Sequence, residues 1–284
     1  LQGEKDNRVN VLLVAIGGEG HQGENLADTI ILASFRPQDN DVALLSIPRD
    51  LYVKLPNTDV TMRINAVHAY GEYPNQGQGL QVLRKKINEI TGQPVHYTAR
   101  VDFTAFKRIV DELGGVEISI NQGFYDYWHR INFPQGTEHM TGDRALAYVR
   151  ARFIEGSEGG DFKRAARTQQ VLLAIRKKML SVQTAFDLRA LAGVLDALRD
   201  NVATNFTLAE LKRLIELTRS IPDGNIHSAV LTTGPEGLLV GTTEVLGGRP
   251  ASVLRPRAGL EDYREIQAFA ADIFSQAKAA PSPG

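Results

Sequence analysis

The sequence predicts an α/β fold: an α/β/α sandwich with a central mixed β-sheet, in a single domain. Three observations predict it. Short runs rich in Leu, Ile and Val alternate along the chain with longer segments of helical period. The inner positions of the first runs are apolar on successive residues, the pattern of strands covered on both faces. The 284 residues, 43% hydrophobic, show no internal repeat and no long linker, so one large core is within reach.

The first third supplies strands. VNVLLVAIG (9–17), DTIILASF (28–35) and DVALLSIP (41–48) are short and separated by polar turns. GLQVLRKKINEITG (79–92) has helical spacing and stops at Gly92. HYTARVDF reads as a strand, and TAFKRIVDELGG (104–115) as a helix with Thr104 as its cap and glycines at its end. VEISI (116–120) is another strand, and the aromatic stretch FYDYWHRINFPQG reads as irregular. A short helix, TGDRALAYV, precedes a longer one from Phe162, whose apolar stripe is Val171, Leu172, Ile175 and Met179. Further helices are expected near 185–200, 207–221 and 260–278, with strands in SAVLTT and ASVLRP. Residues 1–8 read as a polar leader, 9–278 as the folded domain and 279–284 as a disordered tail.

Bulk properties exclude several classes. A net charge of −1 gives no general pull toward nucleic acid or an acidic membrane surface, and no helix-turn-helix signature supports a DNA-binding regulator. With no cysteine there is neither disulfide nor thiolate chemistry. No apolar run approaches the roughly 18–20 residues of a membrane span. The chain begins at Leu1 with a polar leader, which is compatible with an upstream anchor or export segment.

Charge collects in three unusual places. The loop GGEGHQGENLADT (17–29) has glycines that allow close backbone approach and delivers His21 and Asp28 beside a strand. A flexible hairpin is the alternative, and the glycines match neither a Walker loop nor GxGxxG. In SIPRD (46–50), Pro48 ends the strand pattern, so Arg49 and Asp50 fall just past a strand end, where open α/β sheets place ligands. A local Arg–Asp turn explains it equally well. The third is YVRARFIEGSEGGDFKRAAR (148–167). Arg150 and Arg152, two apart, share a side if extended; surface pairing with Glu155 and Glu158 is the alternative. Arg164 and Arg167 continue the apolar face of their helix and oppose its dipole. Burying guanidinium groups is costly unless an anion compensates, and a pyrophosphate matches their planar donors. These features point to an anionic, phosphorylated ligand, with Asp28 as candidate ligand for a hard cation. Phe106, Ile109, Val110, Val171 and Ile175 stand either as ordinary core or as lining of an apolar pocket.

The segments VNVLLVAIG, LADTIILAS, LLSIPRDLYV, RINAVHAYG, FKRIVDELGGVEI, TGDRALAYVRAR and GGDFKRAARTQQV occur in one order over residues 9–180. In this the chain resembles the LytR–CpsA–Psr (LCP) family of bacterial envelope proteins, and VLRPRAGLEDYREIQAF is similar to the family's closing strand and helix. The resemblance implies a phosphotransferase. It would move a glycopolymer from a polyprenyl-pyrophosphate carrier onto peptidoglycan through a phosphodiester, with a side pyrophosphatase activity when no acceptor is present. It implies Mg2+ (or Mn2+), an apolar pocket for the isoprenoid tail, and a location at the extracytoplasmic face of the membrane through an N-terminal helix outside this sequence. Carried over by motif, Arg49, Arg150, Arg152, Arg164 and Arg167 bind the pyrophosphate. Arg49, Asp28 and Arg164 are the catalytic set, and Asp28 is the metal ligand. Asp161 would orient the arginines, with Gln169 in a supporting place.

The sequence also departs from the family pattern. Where many members have an acid at the end of the first strand, Gly17 and Gly18 stand here, and Leu26 replaces an arginine. Thr168 stands where glutamine is common. His21 or Glu19 would have to compensate. Those departures keep open a lipid- or glycan-binding module without turnover. Asp28 serves either the metal or the proton of the attacking hydroxyl.

Overall fold

A computed structural model of the protein describes residues 1–55, 58–73, 77–181, 196 and 198–275. In chain order the elements begin with β1 (Val9–Ile16), β2 (Ala27–Arg36), β3 (Asp41–Ser46), β4 (Tyr52–Lys54), β5 (Thr61–Arg63), α1 (Asn65–Glu72), α2 (Gly79–Thr91) and β6 (Tyr97–Asp102). Next come α3 (Phe103–Glu112), β7 (Val116–Ile120), β8 (Phe124–Asp126), β9 (Ile131–Phe133), β10 (Gly136–Met140), α4 (Gly142–Arg150) and α5 (Asp161–Ser181). The chain continues through β11 (Val202–Thr204), α6 (Leu208–Arg219), β12 (Ile226–Val230), β13 (Leu239–Leu246), β14 (Arg249–Pro256) and α7 (Arg264–Ala271).

Six strands form one sheet in the order β11-β6-β1-β2-β3-β12. β1, β2 and β3 are antiparallel neighbours and β12 is parallel to β3, so the sheet is mixed, as predicted. The successive apolar residues have the reason inferred for them. Leu12, Ile30 and Leu45 are buried on one face, and Val11, Ile31 and Leu44 on the other.

Packing divides the chain into two compact units: Leu1–Arg100 with Thr204–Phe206 and Ser220–Ala280, and Val101–Ala203 with Thr207–Arg219. The first holds a core in which Leu12, Ile30 and Leu45 meet Val67 of α1, Leu83 and Ile87 of α2, and Ile266 of α7. α2 ends where the glycine allows: Gly92 has φ 65°, the left-handed cap conformation, and its N–H returns to Asn88 O. The strand read in ASVLRP is the second arm of the β13–β14 hairpin.

In the second unit, Val110 of α3, Val116 and Ile118 of β7, Phe133 of β9, Tyr148 of α4 and Val171 of α5 share a core. Val110 and Val171 are buried in it, and Phe106 and Ile175, partly buried, pack against it. The cap of α3 is Asp102, not Thr104. Its extended backbone lets the Oδ1 accept from Ala105 N–H at 2.8 Å, while Thr104 already lies inside the first turn. FYDYWHRINFPQG is not irregular: it forms the β8–β9 hairpin, whose three-residue arms are too short to show an alternation. The expected helix at 185–200 falls mostly outside the described residues, and the tail at 279–284 entirely so. Among the described residues no helix is long and apolar enough to cross a membrane.

Candidate functional site

The first unit places Asp28 and Arg49 together. Along β1 and β2, Ala15 faces Thr29 but Ile16 faces Ala27, which leaves Asp28 as the extra residue of a β-bulge. A bulge bends its strand and re-aims the side chain it carries. β3 runs on past Ser46, Ile47 N–H donating to Ile30 O at 2.9 Å, and this brings the following turn alongside Asp28. Pro48 stops the ladder, and Leu51 N–H closes the turn on Pro48 O at 3.0 Å. Arg49 Nη1 then donates to Asp28 Oδ1 at 2.6 Å, with the two side chains 19% and 32% exposed. The pair is sheltered yet reachable from solvent.

The turn itself is held from behind. Asn65 N–H donates to Arg49 O at 3.2 Å, and Arg63 Nε lies 3.1 Å from Asp50 Oδ1. Arg63 Nη2 also donates to Ser252 O at 2.7 Å. Arg63 therefore positions the Arg49 turn, a role not read from the sequence; the available signal was its place at the head of RINAVHAYG. His21 is exposed in the loop after β1, its N–H donating to Gly18 O at 3.2 Å.

The same motif carries a second unassigned residue. His68 of α1 is fully buried, and its Nδ1 lies 2.9 Å from Asn25 O, which ties the helix to the loop before the bulge. Burial holds its pKa below the ordinary value of 6.5, opposed by the Asn25 carbonyl and Glu72. The sign follows by linkage. Unfolded His68 protonates near pH 6.5 while the folded residue resists, so its contribution to stability is present above that pH and lost as pH falls through the folded value. The melting temperature is expected to drop between pH 7 and 5, and His68→Gln should flatten that part of the profile. An unchanged profile would remove His68 from the account.

The second unit holds the arginines of α4, of α5 and of the segment between them. Arg164 is 9% exposed and Arg167 4%, which is where the helical face predicted them. Arg164 Nε donates to Asp161 Oδ1 at 3.1 Å, one turn back, so Asp161 does orient an arginine. Arg167 points into the loop that precedes its helix: Nη1 donates to Glu158 O at 2.9 Å and Nη2 to Ala151 O, with the Glu158 carboxylate 3.9 Å away. Its guanidinium lies over Phe124 at 4.9 Å. Burial lowers its pKa, with Tyr148 and Glu158 opposing. The same burial pushes the Tyr148 hydroxyl up to about 12. Gln169 is buried.

Arg150 and Arg152 do not lie in an extended segment. Arg150 ends α4, exposed, with its guanidinium 4.7 Å over Phe103; Arg152, past the helix, lies 4.9 Å over Phe153. Glu158 pairs with Lys163 at 3.1 Å, and Glu155 accepts from the Tyr127 hydroxyl. Among the described residues no group of three or more His, Asp or Glu is arranged for a metal.

These features define an α/β protein with a mixed sheet, a bulge-borne carboxylate against a strand-end arginine, and buried arginines at a helix start. The LytR_cpsA_psr family model matches residues 1–248, and the chain belongs to that family. It is 31% identical over 203 residues to the polyisoprenyl-teichoic acid–peptidoglycan teichoic acid transferase TagU of Bacillus cereus, a match covering 72% of this chain and 62% of that protein. It is 31% identical over 235 residues to TagT, of the same description, from Bacillus subtilis, covering 78% and 67%. The match thus spans less than two thirds of the Bacillus cereus relative. Among solved structures, B. subtilis TagV superposes with a TM-score of 0.71 at 23% identity, covering 95% of this chain and 98% of that one. TagT bound to LIIa-WTA gives 0.70 at 24% identity, covering 96% and 92%; at such identities the likeness shows the fold.

Proposed function

We propose that this chain is a phosphotransferase of the cell envelope that moves a glycopolymer from a polyprenyl-pyrophosphate carrier onto peptidoglycan. The observation that carries this is the bulge at Asp28, which holds a carboxylate 2.6 Å from Arg49 at a strand end, in a member of this family. Relatives named as teichoic acid transferases support the substrate class. In the proposed reaction a sugar hydroxyl of peptidoglycan attacks the glycan-linked phosphorus. A P–O bond forms, the P–O bond to polyprenyl phosphate breaks, and the hydroxyl proton leaves to a base. Arg49 of the first unit, and by motif Arg150, Arg152 and Arg164 of the second, would each offer planar guanidinium donors suited to a pyrophosphate. Arg167, spent on carbonyls of the loop before its helix, would act by positioning that loop.

Mg2+ (or Mn2+) fits Asp28 as an ion shared with the donor, since magnesium is often held by one carboxylate plus substrate phosphates. When bound it would neutralise phosphate charge. Asp28 is at the same time the base candidate nearest Arg49. The proposed location is the extracytoplasmic face of the membrane. Gly17 and Gly18, where relatives of the family commonly place an acid, favour a second reading, binding without turnover.

One assay separates the two. The chain is incubated with a short polyprenyl-pyrophosphate glycan and a peptidoglycan oligosaccharide, with and without EDTA. A metal-dependent phosphodiester product, with polyprenyl phosphate released, is expected; slow release without acceptor would be the hydrolytic side reaction. Binding of the donor with no turnover under any metal would replace the transferase with the binding module.

A further inference from the structure

The β8–β9 hairpin and the segment after α4 present aromatic rings to water. Trp128 is 73% exposed, Tyr127 53%, Phe153 45% and Tyr125 39%. They are clustered: the Trp128 and Phe153 ring centroids are 5.2 Å apart, and Tyr125 meets Tyr127 edge-on at 5.0 Å. The turn is held firmly from beneath by Asp126, which is buried. Its Oδ1 accepts from Trp128 N–H at 2.9 Å and His129 N–H at 3.2 Å, and its Oδ2 lies 2.8 Å from His129 Nδ1. A backbone fixed to hold a tryptophan outward marks an interaction surface, since clustered exposed apolar groups are uncommon without a partner.

The charge around the rings is cationic at its edge. Arg130 closes the turn, exposed and at φ 55°, and Arg152 lies 4.9 Å over Phe153. Of the neighbouring acids, Asp126 is beneath the turn and Glu155 accepts from the Tyr127 hydroxyl at 3.2 Å. The whole chain's net charge of −1 supplies no general attraction to an anionic surface, so this patch must act locally.

We infer that the β8–β9 turn docks on the surface of an anionic lipid bilayer, Trp128 and Phe153 entering the headgroup region and Arg130 and Arg152 meeting lipid phosphates. Trp and Tyr combine an apolar body with a polar tip, the property that concentrates them at membrane interfaces. Arg152 is also among the residues proposed above to bind a lipid pyrophosphate, which in a polyprenyl carrier lies at the bilayer surface. In that respect the inference rests on the proposed function and deepens it.

Trp128 is the only tryptophan of the chain, so its emission reports on this turn alone. The probe is vesicles of phosphatidylcholine with phosphatidylglycerol, free of polyprenyl lipid. Emission is expected to move to shorter wavelength on adding vesicles and to be quenched by brominated acyl chains. Phe153→Ser, which keeps the reporter, should weaken vesicle binding at least about tenfold at an unchanged melting temperature, in line with the apolar area removed. Emission unmoved by vesicles, vesicle binding indifferent to Phe153→Ser and Trp128→Ala, or a shift produced by peptidoglycan oligosaccharides and not by vesicles would each overturn it. Because the vesicles carry no donor, docking without turnover would sink only the transferase, and turnover without docking only this inference.

Discussion

Arg49→Ala is expected to lower the proposed transfer by about 10²–10³-fold, the cost typical of removing one charge-stabilising donor from a transition state. The melt should hardly move. The Arg49 turn is closed by backbone bonds, from Leu51 N–H to Pro48 O and from Asn65 N–H to Arg49 O, neither of which uses the side chain. The lost ion pair with Asp28 is 19% and 32% exposed at its ends, and such partly solvated pairs contribute roughly 0–1 kcal/mol. Arg49→Lys keeps the charge but not the planar fork, so only part of the rate should return. Product formation and thermal unfolding on the same preparations check both halves. A fully active variant, or one that no longer folds, would take Arg49 out of the chemistry.

Arg167→Ala should do the opposite and act first on stability. Its guanidinium supplies donors to Ala151 O and Glu158 O, and it compensates a Glu158 carboxylate that is 14% exposed. Removing it leaves those acceptors short of a donor in a sheltered site, a loss of about 3–5 kcal/mol when one member of a buried ion pair goes. Urea unfolding midpoints measure it. Arg164→Ala, which removes the donor to Asp161 Oδ1 within the same helix, is expected to lose the proposed transfer while shifting the midpoint much less. Equal midpoints for Arg164→Ala and Arg167→Ala would refute the distinction between a ligand-facing and a structural arginine.

Much of this was legible in the sequence because it is written in local period. The two burial faces of β1–β3 follow from consecutive apolar residues, and α2 stops at Gly92 because glycine, lacking a Cβ, turns left-handed cheaply. The burial of Arg164 and Arg167 followed from projecting them on the stripe of Val171. Other elements left too little periodic signal. β4, β5, β8 and β9 have three residues each, and Arg63 and His68 looked like ordinary members of a motif. The division at Arg100 falls within β6, where no glycine, proline or serine-rich linker announces it.

Sequence alone determined the three central strands and the two buried arginines, which are written in local spacing, and the α/β class and the family, which are written in the order of short segments along the chain. Tertiary structure decided the rest. Asp28 became special only when β1 skipped it, Arg49 reached it across 21 residues of chain, and Arg167 found its acceptors at Ala151 and Glu158. Trp128 took its outward place once Asp126 had closed the turn beneath it. A periodicity says which way a side chain faces; which atom it meets there depends on a register and a turn that only the folded chain supplies.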